Sequence, residues 1–170
     1  MTNDKLRTTN DQLQMTNESK SPSTARHSAQ KADVIETTFY VRYAETDQMG
    51  LVHHSTYVIW MEEGRSDYMR RKYVDYAEIE KSGLALAVTE LNVRYLAAAH
   101  YGERVTVRTR IDSLRSRALA FAYEIVNADT QQRLVTGSVK LTPIDRRGQV
   151  VSLPASLQAA LQRAMRKNST

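Results

Sequence analysis

The chain contains no cysteine. Disulfides, thiolate nucleophiles and cysteine-ligated zinc are thereby excluded. Glycine is sparse, with six in 170 residues, and no two fall in a G-x-G pattern. Phosphate-cradling P-loops and dinucleotide fingerprints need such glycines, so both drop out. No apolar run approaches the roughly 18–20 residues that span a bilayer, and no membrane span is expected. The N-terminal region has no apolar h-region of a secretory signal. Together with the missing thiols, this makes the cytoplasm the expected compartment. An excess of one charge is also absent. The net charge is +5 and the pI about 9.5, but 19 acids remain. The mild bias favours anionic partners without choosing among them.

What is present is an ordinary globular composition, 41% hydrophobic and 25% charged, so one packed domain plus some excess length is expected. Residues 1–33 are rich in Thr, Asn, Ser, Gln and Lys, too polar to offset the entropy of ordering, and read as a disordered extension or a wrongly assigned start. Their five basic and four acidic residues nearly cancel. They make no basic arm and no helix-turn-helix, and no nucleic-acid partner is expected. The domain proper is expected over 34–153, with a short helix and tail over 154–170. No internal repeat is evident.

Order begins near Ile35. Thr37, Phe39, Val41 and Tyr43 alternate as one face of a strand. From about Thr56 to Lys72 the period turns helical, with Tyr57, Trp60, Met61, Gly64 and Tyr68 on one stripe. Val58 and Ile59 make the first turn apolar nearly all round, which predicts deep burial there. Ser55 or Thr56 is suited to cap it. Four strand-like runs follow. Val105, Val107 and Ile111 oppose Arg104, Arg108 and Arg110; Leu119, Phe121, Tyr123 and Ile125 share a face; Asn127 to Asp129 reads as a turn. Pro154 suits the first turn of a final amphipathic helix reaching Met165. Strand, long helix, then about four antiparallel strands predicts an α+β fold in which the sheet wraps one helix. One helix covers only part of such a sheet, so pairing with a second copy is expected.

Between the first strand and the helix lies "YAETDQMGLVHHSTY", residues 43–57. Its Asp47, His53 and His54 could serve a turn, a metal or a reaction. Adjacent histidines lack the usual metal-ligand spacing on a helix, so no metal is expected. "GRSDY", residues 64–68, fails the G-x-S-x-G elbow at its last position and sits mid-helix. Glu62 and Glu63 read as a solvated helix face, although a helix-borne carboxylate is their alternative.

"TDQMGLVHHSTY" resembles the T-D-x-x-G-x-V-x-(H/Y)-x-N-Y signature of hot-dog-fold acyl-CoA thioesterases of the 4-hydroxybenzoyl-CoA thioesterase-like group. "VRYLAAAHYGERVTVRT" is similar to the group's second segment, and "YVIWMEEGRSDYMR" to its aromatic-rich helix. The resemblance spans about residues 36–145. Thr56 replaces the usual Asn, Ala98 the usual Pro, and Gly102 the usual Asp.

The resemblance implies that Asp47 is the catalytic carboxylate, as general base or nucleophile, with His54 assisting and His53 less favoured. A thioester needs little more than one carboxylate and donors for the developing oxyanion. The start of the helix, Ser55, Thr56 and Tyr57, would supply those donors, with Gly50 permitting the turn. Trp60 and Met61 would line an acyl pocket. The basic stripe with Arg104 and Arg108 could hold coenzyme A phosphates or bind nucleic acid, but a solvated strand face is the favoured reading. No cofactor is implied, since coenzyme A belongs to the substrate. The expectation is a homodimer or homotetramer hydrolysing an acyl-CoA. The alternatives are a hydratase or dehydratase of acyl thioesters and a non-enzymatic acyl-CoA-binding regulator.

Overall fold

A computed structural model describes residues 33–72, 79 and 83–166. Residues 1–32, on which the expectation of disorder falls, lie outside the described residues. The elements in chain order are β1 (Ile35–Tyr40), a 3-10 turn (Tyr43–Glu45), α1 (Thr56–Arg71), β2 (Ala85–Tyr95), β3 (Arg104–Arg115), β4 (Ala118–Asn127), β5 (Arg133–Ile144) and α2 (Ala155–Arg166). The strands form one antiparallel sheet in the order β1-β3-β4-β5-β2. α1 lies on one face of it, which is the expected hot-dog arrangement.

The alternation in β3, β4 and β5 buries one face against α1. Val107 pairs with Ile125 and Ile125 with Val135, so one apolar row crosses three strands. Tyr57, Trp60, Met61, Gly64 and Tyr68 are all buried, as their helical spacing predicts. Two glycines set how closely helix and sheet approach. A Cβ on Gly64 would stand 2.6 Å from Thr109 Oγ1 and 2.7 Å from Val107 Cγ1. One on Gly137 of β5 would stand 2.5 Å from Met61 Cε and 2.8 Å from the Asn92 carbonyl oxygen. Asn127 makes the expected turn, its side-chain oxygen accepting from the amides of Asp129 and Thr130, both at 3.0 Å.

Several expectations need correction. β1 stops at Tyr40, and Tyr43 is 78% exposed in the 3-10 turn instead of sharing the strand face. The chain turns there because the Glu45 carboxylate takes the Arg42 amide. Ile59 is 57% exposed, so the start of α1 is buried on one side only. Ser55 has helical backbone angles and makes no side-chain cap; its hydroxyl pairs with His53 Nδ1 at 2.8 Å. α2 packs into the core, Leu157 and Leu161 joining the same cluster as Ile111 and Leu119. At the other end, Asp33 is buried and ion-paired with Lys72, one residue before the expected boundary.

Candidate active site

The 46–54 loop is a small antiparallel excursion. Thr46 bridges to Val52 and Leu51 to His100. Asp47 N donates to the Leu51 carbonyl at 2.8 Å, and Gly50 N to the Asp47 carbonyl at 3.0 Å. Gly50 sits at the tip with φ +75°, and a Cβ there would meet nothing within 4 Å. A glycine tolerates that backbone angle at little steric cost.

Asp47 has a divided carboxylate. Oδ1 accepts from the amides of Met49 at 2.8 Å and Leu51 at 3.3 Å, holding the turn. Oδ2 takes part in neither bond. The turn and the chemical readings of Asp47 are thus compatible, one oxygen for each. Asp47 lines a cavity of about 370 Å³ with Leu51, Val52, His54, Tyr57 and the chain from Tyr95 to Ala98. That volume suits part of an organic ligand. His54 lines this cavity and His53 does not, although their rings lie 4.1 Å apart.

The start of α1 forms one wall. Thr56 N donates to the His53 carbonyl at 2.9 Å and Val58 N to that of Ser55 at 3.1 Å; neither bond uses the Tyr57 amide. First-turn amides and the helix dipole favour a negative oxygen at that point. The Tyr57 hydroxyl accepts from Ala99 N at 2.9 Å, tying helix to opposite wall. Burial pushes the Tyr57 phenol above its ordinary pKa, and Glu103 and Tyr95 nearby add to this, against the Ala99 bond, so it stays protonated at neutral pH. Tyr95 closes the row, donating to the His54 carbonyl at 2.9 Å.

Beneath the loop lies a buried acid that the sequence reading passed over. Glu45 is 9% exposed. Its Oε2 accepts from Arg42 N at 2.8 Å; its Oε1 accepts from the Arg42 guanidinium at 2.6 Å and from Trp60 Nε1 at 3.1 Å. Burial alone would push this carboxyl up, but these donors and the Arg42 charge outweigh it and hold it below its ordinary range.

The other candidates fall elsewhere. Trp60 and Met61 do not line the cavity; they are core residues, Trp60 edge-on to Phe39 and Tyr57, and Met61 seated over Gly137. Thr56 is buried, its hydroxyl turned toward the Glu45 carbonyl at 3.5 Å. Arg104 and Arg108 lie on the sheet face away from α1, Arg104 paired with Asp129 and Arg108 with Glu36, Glu124 and Gln131. A wider hollow of about 650 Å³ lies there, but its Arg108, Arg110 and Arg133 meet carboxylates instead of a helix start. Glu63 pairs with Arg70 on the exposed side of α1. Among the described residues, no three histidine or acidic side chains converge as a metal site, and no helix is long and apolar enough to cross a membrane.

A family model described as the thioesterase-like superfamily matches residues 41–161. YneP of Bacillus subtilis is 40% identical over 87 residues, 51% of this chain and 63% of YneP. The acyl-CoA thioester hydrolase YbgC of Escherichia coli is 32% identical over 89 residues, 52% of this chain and 66% of YbgC. The chain thus spans just under two thirds of both relatives. The DHNA-CoA thioesterase of Staphylococcus aureus superposes with a TM-score of 0.73 at 32% identity, covering 76% of this chain and 89% of that one.

Proposed function

The chain belongs to the thioesterase-like superfamily, and from that premise we propose that it is an acyl-CoA thioesterase, hydrolysing an acyl-CoA to the free acid and coenzyme A. The observation that carries this reading is the open Oδ2 of Asp47 on the wall of a cavity that also holds His54 and the first turn of α1. YbgC and the Staphylococcus aureus enzyme are both named for coenzyme A thioesters, which supports the substrate class.

The chemistry follows from those groups. Asp47 Oδ2 takes a proton from water as the oxygen adds to the thioester carbonyl carbon. The carbonyl oxygen becomes an oxyanion facing the α1 start and His54. The C–S bond then breaks, and the thiolate recovers the proton held by Asp47. A nucleophilic Asp47 would use the same oxygen. A chain without cysteine loses nothing in the reducing cytoplasm, which is where we place it.

The working unit proposed is a dimer. β2 is eleven residues long and, among the described residues, pairs only with β5, leaving an open edge there. Leu91 and Tyr95 on it are 41% and 47% exposed. The cavity opens beside the end of this strand, so a second copy along β2 would close it. A screen of short, long and aromatic acyl-CoAs with thiol detection tests the activity. Release of free thiol supports hydrolysis; conversion of the acyl group without thiol release contradicts it and points to a hydratase or dehydratase.

A further inference from the structure

Glu45 is a strange residue to find buried. A carboxylate removed from water is costly unless donors surround it, and an apolar side chain would fill the same space more cheaply. Here three donors converge on it, from Arg42 twice and from the Trp60 indole. Its backbone is used as well, the Glu45 carbonyl accepting from His53 N at 2.9 Å. Bonds from this one residue therefore reach the chain before the loop, the chain after it, and the first turns of α1. The loop between carries Asp47, with His54 directly after it, and is braced by its own bridge from Thr46 to Val52. Trp60 continues the connection. Its ring packs edge-on against Tyr57 at 4.9 Å, and Tyr57 against Tyr95 at 5.7 Å, both of them cavity walls.

We propose that Glu45 is a positioning residue, a buried clamp that fixes the Asp47 loop against the start of α1 so that carboxylate and oxyanion donors keep one geometry. This rests on the thioesterase reading. Glu45 does not touch the cavity, and its effect on turnover passes through Asp47 and Tyr57. A displacement of about 1 Å between a reacting group and its substrate can cost on the order of a hundredfold, so such a clamp has kinetic weight.

The chemistry of the clamp selects its test. Every group facing the Glu45 carboxylate is a donor, and only an acceptor at both oxygens satisfies them. Glu45→Gln keeps the size, but in either orientation its amide places a donor against a donor. The expected result is a kcat lower by about tenfold to a hundredfold, KM within about threefold, and a cooperative melt. Amide exchange at Val52 and His53 should accelerate. On an Asp47→Asn background, Glu45→Gln should remove less than about a further threefold, because the group it positions is already disabled. Trp60→Phe, which deletes the indole donor and keeps an aromatic ring, should reproduce the exchange effect if Glu45→Gln does not fold. A folded Glu45→Gln with kcat within threefold of wild type, or with its full loss retained on the Asp47→Asn background, overturns the proposal. If the wild type releases no thiol from any acyl-CoA, the hydrolytic reading fails separately. Exchange then decides the clamp, and unchanged protection at Val52 and His53 in either variant rejects it.

Discussion

Gly64 and Gly137 show how much of the fold rests on single hydrogens. Both lie where α1 meets the sheet, and a methyl group at either would stand within 3 Å of a neighbour. The two sites differ in what must yield. At Gly64 the obstacles are the Thr109 and Val107 side chains, both buried; at Gly137 one obstacle is the backbone oxygen of Asn92. Overpacking typically costs about 1–3 kcal/mol. Gly64→Ala should fall in that range, and Gly137→Ala should cost more because backbone cannot change rotamer. Denaturant unfolding of the two variants checks the order, and equal stabilities would show that Met61 and the β2 backbone absorb the change freely. Sequence spacing placed Gly64 on the helix stripe but could not say why glycine stood there. That reason lies in residues 43 and 45 positions away along the chain.

At the scale of elements, α1 is tied to the sheet by a carboxylate as well as by apolar packing. Asp67 Oδ2 accepts from the Thr37 hydroxyl of β1 at 2.7 Å and meets the Arg71 guanidinium at 2.8 Å. Burial pushes the Asp67 carboxyl up, but the Thr37 and Arg71 bonds outweigh it and hold it below its ordinary value. Glu45 is lowered as well. A carboxyl depressed in the folded state stabilises fully above its unfolded pKa, about 3.9 for Asp and 4.3 for Glu, and loses that contribution as pH falls through the folded value. Thermal stability should therefore be flat near neutral pH and drop below about pH 4. Asp67→Asn should melt lower at pH 7 and show a shallower acid decline. An identical acid decline in wild type and Asp67→Asn would remove Asp67 from the account. The helix stripe itself was legible because five residues repeat at helical spacing. Which side of that stripe would face a ligand was not. Trp60 and Met61 look like pocket residues in sequence, but the Glu45 carboxylate of the 3-10 turn holds the Trp60 indole and Gly137 of β5 leaves room for Met61.

At the largest scale, strand alternation and the loop motif were the readable features. The α+β architecture was readable because alternation survives in β3, β4 and β5, whose two faces meet such different surroundings. Asp47, His54 and Tyr57 were readable from a motif with a strand-loop-helix context, and the structure gathers all three at one cavity. Glu45 left no trace, since its donors come from three residues before it and fifteen after it, and a lone acid in a polar loop gives no local signal. The exposed edge of β2 predicts a dimer. Leu91→Lys puts a charge in mid-strand and should shift sedimentation toward monomer while the fold persists. An unchanged oligomer would place the contact elsewhere. Asp47 is proposed to do chemistry beyond holding its turn, and thiol release by Asp47→Asn measures that contribution. Asn retains an oxygen for the Met49 and Leu51 amides, so the turn should survive, while basicity is lost. Hydrolysis of the best acyl-CoA should fall by about 10²–10⁴, with substrate binding kept or tightened as a negative charge leaves the site. A folded Asp47→Asn protein that hydrolyses within about threefold of wild type would contradict the claim.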